Sequence, residues 1–250
     1  MVNPMPDHFL AVSAIFLLAG LVKGVAGLGL PTVGVGLLSL VMSPAEAASL
    51  VVVPSLATNL SQAAVGPALG GLARRLWPML ACVCLGTWAG AGLLTGAGAG
   101  AASAALGIVL VLYAAVGLSP LRLPMVPARA AAWLGPVAGA ATGLVTAATG
   151  VFVVPAVPYL QALGLGREEL VQALGLSFTV STLALAASLA GAGALGAHSA
   201  WGSVLALIPA WAGMFGGQWV RRTVRPELFR RCLFAALLLL GAHLALRGLL

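Results

Sequence analysis

The apolar residues of this chain fall in long unbroken runs, with polar residues gathered in short clusters between them. The first run reaches from about Phe9 to Met42. That is too long for one membrane helix, which needs roughly 20 residues at 1.5 Å rise. Its middle reads Gly20-Leu21-Val22-Lys23-Gly24-Val25-Ala26-Gly27-Leu28-Gly29-Leu30-Pro31, so the pattern predicts two helical pieces meeting at a glycine break. Backbone groups freed by such a break are tolerated at membrane depth only against protein or a water-filled cavity. A second stretch, Gly139 to Gly150, repeats the Gly-xxx-Gly start and runs on to Pro155 and Pro158. Interrupted apolar segments at matching places in two halves mark the binding sites of transporters. Close helix packing through small residues is the other use of the same glycines.

After the first break, Ser43-Pro44-Ala45-Glu46 combines an N-cap serine, a proline at the first helical position and a glutamate three residues after the cap. This predicts a helix start, and the helix runs to about Val65. Its Ser55, Thr58, Asn59 and Gln62 share a face at spacings of three and four. A polar stripe in lipid faces either an aqueous path or a neighbouring helix that it hydrogen-bonds. Apolar segments follow at about Leu76 to Leu94 and Ala101 to Leu118. Residues 119–129, with three prolines and two arginines, form a joint.

The pattern then replays itself, so residues 1–118 and 130–250 are expected to be two transmembrane repeats on either side of a cytoplasmic linker. Gly139 and Gly143 answer Gly20 and Gly24, Gly166-Arg167-Glu168-Glu169 answers Ser43 to Glu46, and Trp201 answers Trp77. Trp211-Ala212-Gly213 answers Trp88-Ala89-Gly90, and the slipping register implies a small insertion after Gly150.

With 61% hydrophobic and 7% charged residues and a mean hydropathy of +1.11, a soluble domain is excluded, since those carry near 25% charge. No period-two alternation of a barrel strand is present, so the expected fold is an all-α polytopic bundle of six to ten crossings, with the lipid bilayer as its surroundings. Eleven of the 12 basic residues are arginines near predicted helix ends, so the net charge of +7 reports topology and not nucleic-acid binding. Placing Arg74 and Arg75 in the cytoplasm by the positive-inside rule carries Arg122, Arg129 and the cluster Arg221 to Arg231 there too. The repeats are then inverted relative to each other, with both termini outside, in the cell inner (cytoplasmic) membrane. The first apolar stretch lacks a basic n-region and is expected to be a retained helix. Cys82, Cys84 and Cys232 suggest neither a disulfide framework nor a metal site, and no cofactor or ATP-binding motif is present. The absence of Gly-x-Ser-x-Gly and His-Glu-x-x-His argues against an intramembrane enzyme.

The glycine-rich segment Gly20 to Gly29 followed by Ala57-Thr58-Asn59-Leu60-Ser61-Gln62 resembles the sulfite exporter TauE/SafE family, also called TSUP transporters, whose members carry an Ala-Thr-Asn-x-x-Gln element after a glycine-rich first segment. The resemblance spans nearly the whole chain. It departs at Lys23, where small or acidic residues are more usual, and at Thr179-Val180-Ser181-Thr182, where an Asn-containing version often stands. The resemblance implies a secondary transporter that exports a small sulfur-containing anion such as sulfite, sulfoacetate or another organosulfonate by alternating access. An anion channel, or an importer of a different small anion, is the competing reading.

The residues expected to bind the anion are Lys23, Gly24, Gly27, Gly29, Thr58, Asn59 and Gln62 in the first half, and Thr146, Thr149, Gly150, Ser177, Ser181 and Thr182 in the second. Half-helix N-termini at the two breaks would aim unpaired N–H groups at an anion near the midplane, glycines would let it approach, and hydroxyls and amides would donate. Lys23, the chain's one lysine, either meets the anion or snorkels to an interface. Glu46, Glu168 and Glu169 read as helix-start residues, and His198 and His243 as structural. A proton is the candidate coupling ion, without a mid-segment Asp or Glu to relay it. Small-residue faces would permit a homodimer.

Overall fold

The structure, a computed structural model, describes residues 5–96, 98–120 and 124–249. The described residues form an all-α bundle: α1 (Met5–Ala26), α2 (Leu30–Leu38), α3 (Pro44–Ala64), α4 (Leu69–Ala89), α5 (Leu93–Gly96), α6 (Gly98–Leu118), α7 (Ala128–Thr149), α8 (Ala156–Ala162), α9 (Arg167–Gly191), α10 (Ala197–Val220) and α11 (Pro226–Leu249). Among the described residues, six helical stretches are long and apolar enough to cross a membrane: 69–96, 98–118, 129–149, 167–191, 201–220 and 227–249. Large apolar side chains such as Leu112, Ile208 and Leu239 are exposed on the outside, as a lipid-facing surface requires. Trp77, Trp133, Trp201 and Trp219 are each 60% exposed or more. Arg122 of the linker lies outside the described residues, as does the side chain of His198.

Local chemistry explains where the helices begin and stop. α1 ends because Gly27 takes φ +75°, the left-handed conformation that glycine adopts without steric cost, while its N–H still bonds to Lys23 O at 2.7 Å. α7 ends the same way at Gly150, φ +73°. At the start of α3, Glu46 N donates to Ser43 Oγ at 3.3 Å and Ser43 N to Glu46 Oε2 at 3.0 Å, a complete capping box. α9 begins with Gly166 N donating to Glu169 Oε2 at 3.2 Å. Pro54, Pro78, Pro136 and Pro209 sit inside helices. The breaks are therefore made by glycine.

These landmarks keep one register. Gly27 and Gly150, Ser43 and Gly166, Glu46 and Glu169 are each 123 positions apart. The expected insertion after Gly150 is absent. Gly20 corresponds to Gly143, so the two Gly-xxx-Gly pairs are offset by one turn from the alignment expected. The added turn lies later, in α9, which has 25 residues against 21 in α3. Beyond it Gly86 matches Gly213 and Gly90 matches Gly217. A methyl on Gly86 would lie 2.3 Å from Ala140 O, and one on Gly213 would lie 2.0 Å from Leu17 O; 17 and 140 are again 123 apart. The Trp-Ala-Gly triplets do not correspond.

Contacts between elements exchange partners in the same way. α1 packs on α10 and α4 on α7, both in parallel, while α3 packs on α9 and α6 on α11, both antiparallel. Glycines set the α1–α10 seam, where methyls on Gly20 and Gly24 would meet Ala210 O at 2.1 Å and Met214 O at 2.2 Å. Gly139 and Gly143 do the same on α4, with Met79 O and Val83 O at 2.2 and 2.3 Å. Such close backbone approach is how helices associate where lipid removes the hydrophobic driving force. Around these seams packs an apolar core that includes Phe16, Leu106, Leu110, Phe152, Phe178 and Leu244.

Candidate functional site

Three elements bring polar groups together at the α3–α9 contact. Lys23, in the last turn of α1, donates from Nζ to Asn59 Oδ1 of α3. Asn59 Nδ2 donates to Thr182 Oγ1 of α9 at 3.3 Å, and Thr182 donates onward to Phe178 O at 2.7 Å. Asn59 and Thr182 are 123 positions apart, so they occupy matching places in the two halves. Lys23 is 3% exposed, Asn59 0% and Thr182 1%. Lys23 does not snorkel. Among the described residues no carboxylate pairs with it, and a buried ammonium without a counter-charge carries a desolvation cost of several kcal/mol.

Among the described residues, four buried hydroxyls have no hydrogen-bond partner: Thr32, Ser55, Ser177 and Ser181. Buried polar atoms are nearly always paired. Ser181 immediately precedes Thr182 on α9, Ser177 stands one turn before Ser181, and Ser55 stands one turn before Asn59 on α3. Thr32 opens α2, after the left-handed Gly29, φ +109°. Ser55 was readable from its place on the polar face of α3. Nothing in the sequence pattern singles out Thr32.

The remaining expected residues divide. Thr58 donates to Pro54 O at 2.7 Å, Thr146 to Thr142 O at 2.7 Å and Thr149 to Val145 O at 2.7 Å, so each hydroxyl is turned back onto its own helix. Gln62 Nε2 donates to Gly27 O and to Val171 O, both at 3.0 Å, tying the first break to α3 and α9. Gln172, unmarked by any motif, donates to Ala63 O and Gly66 O at 2.8 Å and accepts from Ala68 N at 3.1 Å. It satisfies backbone groups orphaned at the end of α3. Gly24 is part of the α1–α10 seam.

The two breaks do not meet. Gly27 lies beside Gln62, whereas a methyl on Gly150 would lie 2.8 Å from Ala48 Cβ. Gln62 and Ala48 are 14 positions apart on α3, about 21 Å at 1.5 Å per residue. A small anion therefore cannot touch Gly27 or Gly29 and also Thr149 or Gly150. α8 has only seven residues, and the polar centre lies between the breaks, on α3 and α9.

Charge is distributed unevenly between the two ends. Arg74, Arg75, Arg129 and Arg167 lie near helix starts, and Arg221, Arg222, Arg225, Arg230 and Arg231 surround the α10–α11 turn. The directions of packing put all of these at one end of the bundle. Arg247, in the last turn of α11, is at the other end and donates to Leu40 O at 3.1 Å. A cavity of about 840 Å³ opens at the arginine-bearing end, bounded by the ends of α1, α6, α8, α9, α10 and α11.

Searches of curated proteins and of solved structures returned no match. A family model described as "Sulfite exporter TauE/SafE" matches residues 12–244, nearly the whole chain, and it takes in both breaks, Lys23, Asn59 and Thr182. The chain belongs to the sulfite exporter TauE/SafE family of membrane transporters.

Proposed function

We propose that the protein is a secondary transporter that exports a small sulfur-containing anion, such as sulfite, sulfoacetate or another organosulfonate, across the cytoplasmic membrane. The observation that carries this reading is Lys23, a lysine buried within the bundle whose partner is a neutral amide. A monoanion is its electrostatic complement. The unpartnered hydroxyls of Ser55, Ser177 and Ser181 would donate to the anion's oxygens, and the Asn59 amide would turn to share Lys23 with it. Glycines at the breaks serve the movement of α1 and α7 and not the anion itself.

The mechanism we propose is alternating access between inverted repeats. The exchange of partners among α1–α10 and α4–α7, and the antiparallel pairing of α3 with α9 and α6 with α11, support it, because a two-fold axis lying in the membrane plane generates those pairs. In this conformation the polar centre is closed, and rocking of one repeat against the other would open it to one side at a time.

Proteoliposome flux of sulfite, sulfoacetate, taurine, thiosulfate and sulfate, with and without a pH gradient, tests the proposal. Saturable flux of one sulfur anion with counterflow is expected. Flux that never saturates would make the protein a channel, and no flux of any of the five would overturn the substrate class.

A further inference from the structure

The 840 Å³ cavity is far larger than a small sulfur anion needs, which is roughly 100 Å³ at the 30 Å³ or so that one water occupies in the liquid. Its mouth carries Arg167 of α9, Arg221 at the end of α10 and Arg230 of α11, with no carboxylate in the lining. Two segments far apart in sequence, the start of α9 and the α10–α11 turn, thus bring arginines to one cavity. Its wall is apolar and includes Val116 and Leu233. Val116 is 50% exposed and continues a stripe with Leu112 and Ile108, 54% and 49% exposed, at spacings of four along α6. That stripe faces lipid. Val116 thus joins the cavity wall to the exposed apolar stripe of α6.

We propose that this cavity is a binding site for an anionic phospholipid, its phosphate held by Arg167, Arg221 and Arg230 and an acyl chain laid along Val116 and Leu233. Arginine holds phosphate bidentately, and basic pockets between helices at the cytoplasmic end of a bundle match the leaflet that is rich in anionic headgroups. The opposite end of the bundle offers one described arginine, Arg247, whose guanidinium is engaged by Leu40 O. Val25, Ala26 and Leu28 form the inner wall, so a bound lipid would press on the segment that links Lys23 to the first break.

Native mass spectrometry of the protein in neutral detergent, titrated with phosphatidylglycerol or phosphatidylcholine, tests the site without reference to transport. The wild type is expected to retain phosphatidylglycerol at least tenfold better than phosphatidylcholine. The Arg167→Ala/Arg221→Ala/Arg230→Ala variant loses that preference, while Arg222→Ala/Arg225→Ala/Arg231→Ala, which removes equal charge from the same end outside the cavity, keeps it. Val116→Trp fills the cavity with every arginine in place and is expected to lower retention as well, which guards against a folding defect in the triple variant. Equal losses in the two triple variants, unchanged retention in Val116→Trp, or displacement of the lipid by millimolar sulfate would each overturn the proposal.

Discussion

Lys23 and Asn59 make opposite demands on the protein, and substitution separates them. Lys23→Met removes a buried charge whose desolvation is unfavourable, so the protein is expected to fold with unchanged or greater stability. In the proposed site it also removes a charge-assisted contact of about 1.5–3 kcal/mol to the anion, which predicts a loss in transport of roughly 10- to 150-fold at low substrate concentration. Asn59→Ala instead leaves the ammonium buried without an acceptor and is expected to cost about 3 kcal/mol of stability. Thermal unfolding in detergent, measured beside flux, distinguishes the two. A Lys23→Met protein that transports normally would remove Lys23 from the site. The lysine itself was legible in the sequence as the one strong cation inside an apolar run. Its partner was legible only as a member of a polar face, because no spacing rule joins α1 to a residue 36 positions away. The carbonyls tied by Gln62 and Gln172 were beyond reach for the same reason.

Among the helices, glycine has two tasks that a sequence writes alike. At Gly27 and Gly150 a positive φ ends a helix, and both positions stood out because each lies in a glycine-rich stretch that interrupts an apolar run and leads to a proline. At Gly20, Gly24, Gly139 and Gly143 the backbone of a facing helix occupies the space of a side chain. Gly-xxx-Gly aligns with itself after a shift of four, which is why pattern alone matched Gly20 with Gly139 when the packing matches it with Gly143. The extra turn of α9 is equally invisible within one apolar run. Gly213→Ala and Gly86→Ala, at matching places in the two halves, are each expected to cost about 1–3 kcal/mol by overpacking and to lower the midpoint of thermal aggregation. Gly216→Ala, where nothing lies within 4 Å, is expected to leave it unchanged or raise it. Equal midpoints for all three would show that the seams tolerate separation.

For the molecule as a whole, the grouping of nine described arginines at one end makes a topological prediction. In a protein with Cys82, Cys84 and Cys232 replaced by serine, Arg222→Cys and Arg247→Cys are expected to react with a membrane-impermeant maleimide from opposite faces of oriented vesicles. Labelling of both from one face would contradict the directions of α10 and α11. Helix class was readable from composition and pattern, since lipid admits only helices and closed barrels and no strand alternation is present, whereas the pattern allows six to ten crossings. The separation of the two breaks was not readable, because depth in the bundle depends on how α1 and α7 cross α3.

The pair Asn59–Thr182 has a further meaning. Two identical repeats exchanged by a two-fold axis would pass between outward and inward arrangements that the rotation makes equal in energy, and an empty carrier would rest half its time in each. Every place where matching positions differ lifts that degeneracy: Asn59 against Thr182, Lys23 against Thr146, the short α10–α11 turn against the longer connection that holds α5. In the proposed cycle, 1.4 kcal/mol of such imbalance suffices to hold the empty protein about ten to one in a single orientation. The substitutions that broke the repeat would then set which side the carrier waits on.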